Sequence, residues 1–266
     1  MEISLFLGVL IGLILGLTGA GGGVLAVPAL VAGMGWSMQQ AAPVALIAVA
    51  GGAALGAIEG LRKGLVRYKA AVFMVLCGLP FTKVGVTVAQ RLPQKWLLGL
   101  FAGVILIVAA RLIWQTMSAA PQKSGNHALA QINPATGRFH WTWTSGFLFA
   151  GFGALTGFMT GLLGVGGGFV IVPAMRRYTD VSMHGIVATS LMVIALVGSG
   201  GIIVAVANGA QLPMPATILF ALATALGMGV GRKISPHISE KMVQRGFAFV
   251  LLLAAASLIS KVALGA

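Results

Sequence analysis

A chain of 266 residues that is 58% apolar and 8% charged, with a mean hydropathy of +1.01, lacks the polar surface of a soluble domain, where about a quarter of residues are charged. The formal net charge of +13 would suggest nucleic acid in a soluble protein. Here the Lys and Arg sit mostly in short loops beside apolar runs, as topology signals do, so no nucleic-acid partner is expected. The composition is that of an all-α polytopic membrane protein.

Apolar blocks follow one another at 3–33, 41–60, 70–90, 95–116, 142–175, 184–207, 213–231 and 243–262. The first begins at the N-terminus without a basic leader, and it is read as a retained helix rather than a signal peptide. As one helix, residues 3–33 would run about 46 Å, too long for one crossing of a core about 30 Å thick and marginal for two. The run of Gly21, Gly22 and Gly23 would cost a helix interior roughly 3 kcal/mol, and Pro28 removes one more backbone donor. The expectation is a helix to about residue 18, a turn at 19–23 and a short helix over 24–33: a broken hairpin turning at membrane depth. Such a turn is tolerated only where protein buries it or a cavity receives it.

The third block holds Lys83 in "LPFTKVGVTVAQ". Lys83, with Thr82 beside it, either supplies positive charge to a site or snorkels to the outer interface. Cys77 is a small core residue on this reading. Glu59, beside Arg62 and Lys63, is expected to form an ion pair at a helix end. Trp36, Trp96, Trp114, Trp141 and Trp143 flank blocks as interfacial anchors. Residues 117–140, polar and containing Pro, Gly, Asn and Ser, divide the chain into a first transmembrane repeat (1–116), a linker (117–140) and a second transmembrane repeat (141–266).

The fifth block repeats the first. With an offset of 145, residues 8–46 align without a gap to 153–191, and about 15 of the 39 pairs are identical, including Gly21–Gly23 with Gly166–Gly168, Pro28 with Pro173, and Ser37-Met38 with Ser182-Met183. At an offset of 146, Gly85 matches Gly231 and Lys95 matches Lys241. Internal duplication is the usual build of secondary transporters. Gly8, Gly12 and Gly16, like Gly153, Gly157 and Gly161, recur every four residues and read as close-packing stripes.

Charge tests the hairpin. If each first block crossed once, the basic residues would divide about equally between the two sides. If each returns to its starting side, the repeats are inverted, each a glycine-turn hairpin plus three transmembrane helices. One side then collects about 13 Lys and Arg, and the other keeps Arg91, Lys95 and Lys261. The positive-inside rule makes the linker cytoplasmic and places both termini outside; the location expected is the cell's inner (plasma) membrane.

A half-helix starting at depth presents free N–H groups and its positive dipole end. Glycines before it let a ligand approach the backbone, and two such ends facing across a pseudo-twofold axis near the midplane make an anion site. Gly21, Gly22, Gly23, Gly166, Gly167 and Gly168 are therefore candidate binding residues, and Pro28 and Pro173 mark the helix breaks.

Two copies of a Gly-x-Gly-Gly-Gly-x3-Val-Pro signature, "GAGGGVLAVP" (19–28) and "GVGGGFVIVP" (164–173), in a chain of this size resemble the sulfite exporter TauE/SafE family, also called toluene-sulfonate uptake permeases. "HGIVATSLMV" (184–193) resembles the family's Thr-Ser-Leu stretch, which adds Thr189 and Ser190 as hydroxyl donors. The corresponding "QAAPVALIAV" (40–49) departs from it with Pro43, Val44 and Ala45. The resemblance implies transport of sulfite, a sulfonate or a related sulfur-containing anion by alternating access. The residues alone imply an anion, and a passive anion channel or a permease for another small anion would use the same site.

No nucleophile–base pair or metal-ligand cluster stands in the apolar blocks. His127 and His140 fall in the linker, His237 in a loop and His184 at a block mouth opposite Gln39. No enzymatic activity, metal or cofactor is expected. The partners expected are a small anion, the bilayer and, for coupling, a proton or sodium ion; a homodimer is left open.

Overall fold

The computed structural model describes residues 2–117, 130, 139, 141–210 and 212–263. The linker therefore lies outside the described residues except for Met117, Ala130 and Phe139. Among the described residues ten α-helices account for nearly the whole chain: α1 (Glu2–Thr18), α2 (Ala26–Met34), α3 (Met38–Arg62), α4 (Tyr68–Arg91), α5 (Gln94–Met117), α6 (Trp143–Leu163), α7 (Gly168–Tyr178), α8 (Met183–Ala207), α9 (Met214–Ile234) and α10 (Glu240–Ala263). Seven of these are long and apolar enough to span a bilayer: α3, α4, α5, α6, α8, α9 and α10. Large apolar side chains such as Leu76, Ile107, Leu226 and Phe249 stand exposed on their outer faces, as lipid contact requires. This is a multi-pass membrane protein.

Local chemistry starts the helices. Ser37 caps α3 in a reciprocal box with Gln40, and Thr142 caps α6 with Ser145. The first block breaks where its glycines lie: Gly19–Leu25 form a 3₁₀ segment between α1 and α2. From there α2 runs back along α1. Gly22 lies against the backbone of Leu15, and a methyl group at Gly33 would come within 2.6 Å of Leu7 Cδ1. The amino group of Lys261 in α10 donates to the Val31 carbonyl in the last turn of α2 at 2.6 Å, a cation at a helix C-terminus.

The glycine stripes serve packing, and their partners lie in the opposite half. Gly8, Gly12 and Gly16 of α1 meet the backbone oxygens of Phe220, Thr224 and Met228 of α9. Gly153, Gly157 and Gly161 of α6 meet those of Met74, Gly78 and Thr82 of α4. The two sets are the same contacts displaced by 145 and 146 residues. No side chain fits between these backbones, which is how small residues allow close approach without a hydrophobic drive. Both pairs rise in register together, so α1 is parallel to α9 and α6 to α4.

The equivalent helices α3 and α8 cross in the opposite sense. Leu46 meets Gly201, Ala50 meets Gly198, Leu191 meets Gly56 and Ala188 meets Gly60, one number rising as the other falls. They are antiparallel and cross near the middle of each.

Candidate functional site

The two glycine turns meet at that crossing. A methyl group at Gly23 would lie 3.0 Å from the Val165 carbonyl oxygen and 2.9 Å from Val49 Cγ1. One at Gly166 would lie 3.3 Å from the same Val49 atom and 2.8 Å from Ile194 Cγ2. Val49 and Ile194 are equivalent residues at the mid-length of α3 and α8. Outward from them, Gly164 packs on Ala42 of α3 and Gly19 on Val187 of α8, again an equivalent pair. The helical repeat then aligns Ala42, Ala45 and Val49 on one wall and Val187, Ser190 and Ile194 on the other.

Equivalent sequences take different backbone forms. In the second turn Gly164, Gly166 and Gly167 all have positive φ (73°, 78° and 66°), and Gly167 is a left-handed N-cap for α7 with no side chain capping it. The Val170 N–H closes back on the Gly167 carbonyl at 3.0 Å, and the N–H groups of Gly168 and Phe169, which have no partner within an α-helix, stand at the buried turn. In the first turn only Gly19 has positive φ, and the 3₁₀ segment runs straight into α2, with the Ala26 N–H donating to the Gly23 carbonyl. A methyl group at Gly22 would strike the Leu15 backbone and come within 2.9 Å of Thr18 Oγ1, while one at Gly21 would stand 3.6 Å from the Phe247 ring. The expectation of two bare N-termini is therefore corrected: the 3₁₀ segment consumes the start of α2, and α7 alone begins abruptly. The prolines are corrected too. Pro28 is the third residue of α2 and Pro173 the sixth of α7, and both helices continue through them. The breaks lie upstream, at the glycines.

Of the other residues singled out by sequence, Ser190 falls on the wall between the turns, fully buried, its hydroxyl donating to the Val187 carbonyl at 2.9 Å. Thr189 faces away and accepts from the Arg67 N–H at 2.9 Å, which ties α8 to the α3–α4 loop. Lys83 is exposed on the outer face of α4 between exposed Phe81 and Val84, so the structure does not bring it to the turns. The neighbouring Thr82 is buried and back-bonds to the Gly78 carbonyl at 3.0 Å.

A cavity of about 400 Å³ opens at one end of the molecule and reaches inward to Leu46 and Gly161. Ala42, Pro43, Leu162 and Ala205 line it together with the carboxamides of Gln39, Gln40, Gln90 and Asn208. Sequence reasoning noted Gln39 at a block mouth and missed the other three, because only the fold gathers the start of α3 with the ends of α4 and α8. The pseudo-equivalent region at the opposite end is closed. Pro43 and Ala205 both line the cavity, whereas a methyl group on Gly60 would come within 2.8 Å of the Ala188 side chain, the two being their counterparts. Glu59 bridges there to Lys63 of its own helix and to Arg232 of α9, each at 2.6 Å. The Arg232 guanidinium lies over Gly56. The ion pair expected at the end of α3 thus exists, with Arg232 as the partner that sequence proximity hides. Among the described residues no three His, Cys, Asp or Glu gather as a metal site would require.

The sulfite exporter TauE/SafE family model matches residues 4–258. The chain belongs to this family. Two curated proteins are similar to it, both named probable membrane transporter proteins. The one from Xylella fastidiosa strain 9a5c is 28% identical over 192 residues, 72% of this chain and 68% of that protein. The one from X. fastidiosa strain Temecula1 is 29% identical over 197 residues, 74% of this chain and 69% of that protein. No solved structure matches. The TauE/SafE chain described here is accordingly a membrane transporter by family.

Proposed function

We propose that this TauE/SafE protein is a secondary transporter for a small sulfur-containing anion, sulfite or a sulfonate, working by alternating access around the glycine turns at the membrane midplane. The observation that carries the reading is the meeting of two duplicated helix breaks at the mid-length of α3 and α8. Scaffolding needs no interrupted helix at depth, whereas a transported ion needs polar backbone there. The family name supplies sulfur. The amide end of α7, which has no carboxylate in its first turn, supplies a preference for negative charge.

The antiparallel crossing of α3 and α8 supports repeats inverted across the membrane, each a hairpin with three further spans. The charge count then puts the linker in the cytoplasm and both termini outside, in the inner membrane. On that topology the cavity faces outward and the Glu59–Arg232 pair closes the cytoplasmic end, as one state of an alternating-access cycle would have it.

Thermal unfolding of the purified protein in sulfite, sulfate, thiosulfate, a sulfonate, a carboxylate and chloride at matched ionic strength tests the substrate class. Selective stabilisation by one sulfur oxyanion is expected, and equal response to all of them would refute it. Counterflow in proteoliposomes with the membrane potential clamped at zero separates carrier from channel: internal unlabelled anion then accelerates uptake of labelled anion through a carrier only.

A further inference from the structure

Buried hydroxyls in this protein are partnered almost everywhere. Thr82, Thr217 and Thr224 donate to the carbonyl four residues earlier at 3.0, 3.0 and 2.7 Å, and Ser4 of α1 reaches the Ala216 carbonyl at 3.1 Å. Two threonines of α6 break the pattern. Thr156 and Thr160 are fully buried, and among the described residues theirs are the two buried hydroxyls without a hydrogen-bond partner. Leaving such a group unpaired is costly, and each instance in a folded protein asks for an explanation. A helical threonine can relieve itself by bonding back to its own helix where its rotamer allows. These two, one turn apart on one face, do not.

Their position supplies the explanation. Gly167, the left-handed cap of α7, packs on Thr156: a methyl group there would strike the Thr156 γ-methyl and come within 3.1 Å of its Cβ and its carbonyl oxygen. Thr160 precedes Gly161, a residue of the cavity wall, and its γ-methyl would lie 3.9 Å from a methyl group on Gly201 of α8, next to Thr82 and Leu46. The first repeat places Ile11 and Leu15 at the equivalent positions, both buried, and the backbone of Leu15 lies against Gly22 of the first turn. The duplication has thus diverged at the site: apolar and helical in one half, hydroxylated and left-handed in the other.

We infer that Thr156 and Thr160, with the amide end of α7 at Gly166–Gly168, form the subsite for the substrate's oxyanion headgroup, and that the first glycine turn is a packing element opposite it. This rests on the anion-transporter reading above. An oxyanion on sulfur offers several acceptor oxygens and no donor. It takes the two hydroxyl protons and the α7 amides together, and the remainder of the molecule points along the cavity toward Leu46 and the carboxamides. A cation would not be drawn to the positive end of a helix.

The test combines stability with binding. Thr156→Val and Thr160→Val keep shape and remove the hydroxyl. Anion affinity is read by titrating Tm with sulfite in one arm and an alkanesulfonate in the other, at matched ionic strength. Each valine variant is expected to weaken binding about 10- to 100-fold, the range for a hydrogen bond to a charged group. Anion-free Tm should stay level or rise, because an unpaired hydroxyl is gone. Thr156→Ser and Thr160→Ser should keep affinity, and Thr224→Val should leave it unchanged. Weakening in one arm only identifies that headgroup's source as the ligand. Valine variants that bind within twofold of the parent would mean that the hydroxyls hold only water, and a marked fall in anion-free Tm would mean that they serve structure. Either result overturns the subsite while the transporter reading stands. A parent protein that responds to no anion would overturn both.

Discussion

Replacing Gly167 by alanine separates backbone from packing at the turn. At φ 66° an alanine costs about 1–2 kcal/mol for its left-handed conformation. Its methyl group would also drive into Thr156, and overpacking of this kind costs about 1–3 kcal/mol. The sum is about 2–5 kcal/mol. Gly35 shares the backbone, at φ 69°, but has nothing within 4 Å of a new methyl group. Its alanine variant should cost only the first term. Gly103, helical in α5 with open space beside it, should gain up to about 1 kcal/mol from the same change. At about 2–4 °C per kcal/mol for a chain of this size, Tm should fall by about 4–20 °C for Gly167→Ala and about 2–8 °C for Gly35→Ala, and hold or rise for Gly103→Ala. Thermal unfolding in detergent, followed by labelling of the half-buried Cys77, the chain's one cysteine, reads all three. Equal losses at Gly167 and Gly35 would refute the contact with Thr156. No loss at Gly167 would refute the left-handed cap itself.

Other outcomes follow from the same geometry. The Glu59–Arg232 pair is partly exposed, so Glu59→Gln should change stability by less than about 1 kcal/mol. In a Cys77→Ser, Ala188→Cys background it should nevertheless speed maleimide labelling of the buried cysteine several-fold from the linker side, and an unchanged rate would show that the pair does not hold that end closed. Lys83→Gln should leave the anion response within twofold of the parent. A larger loss would contradict its place on the outer face of α4.

Much of this protein was legible in the chain because its signals are local or repeated. Long apolar runs dictate spanning helices, three adjacent glycines dictate a break, and the 145-residue echo exposes the duplication. The spacing of Gly8, Gly12 and Gly16 announces a packed helix face whatever it packs against.

Tertiary structure decided everything that depends on a partner. That the stripe of α1 meets α9 and that of α6 meets α4 cannot be read from either stripe, because a glycine face has no side chain to specify its mate. Arg232 stands 173 residues from Glu59, so the ion pair escapes any reading of neighbours. Glycine tolerates both signs of φ, so "GAGGG" and "GVGGG" look alike as strings while one continues as a 3₁₀ helix and the other stops in left-handed turns. Thr156 and Thr160 read as ordinary residues between packing glycines. Both are buried with no bond to make, Thr156 against the cap of α7, and burial and bonding are properties of the folded molecule alone.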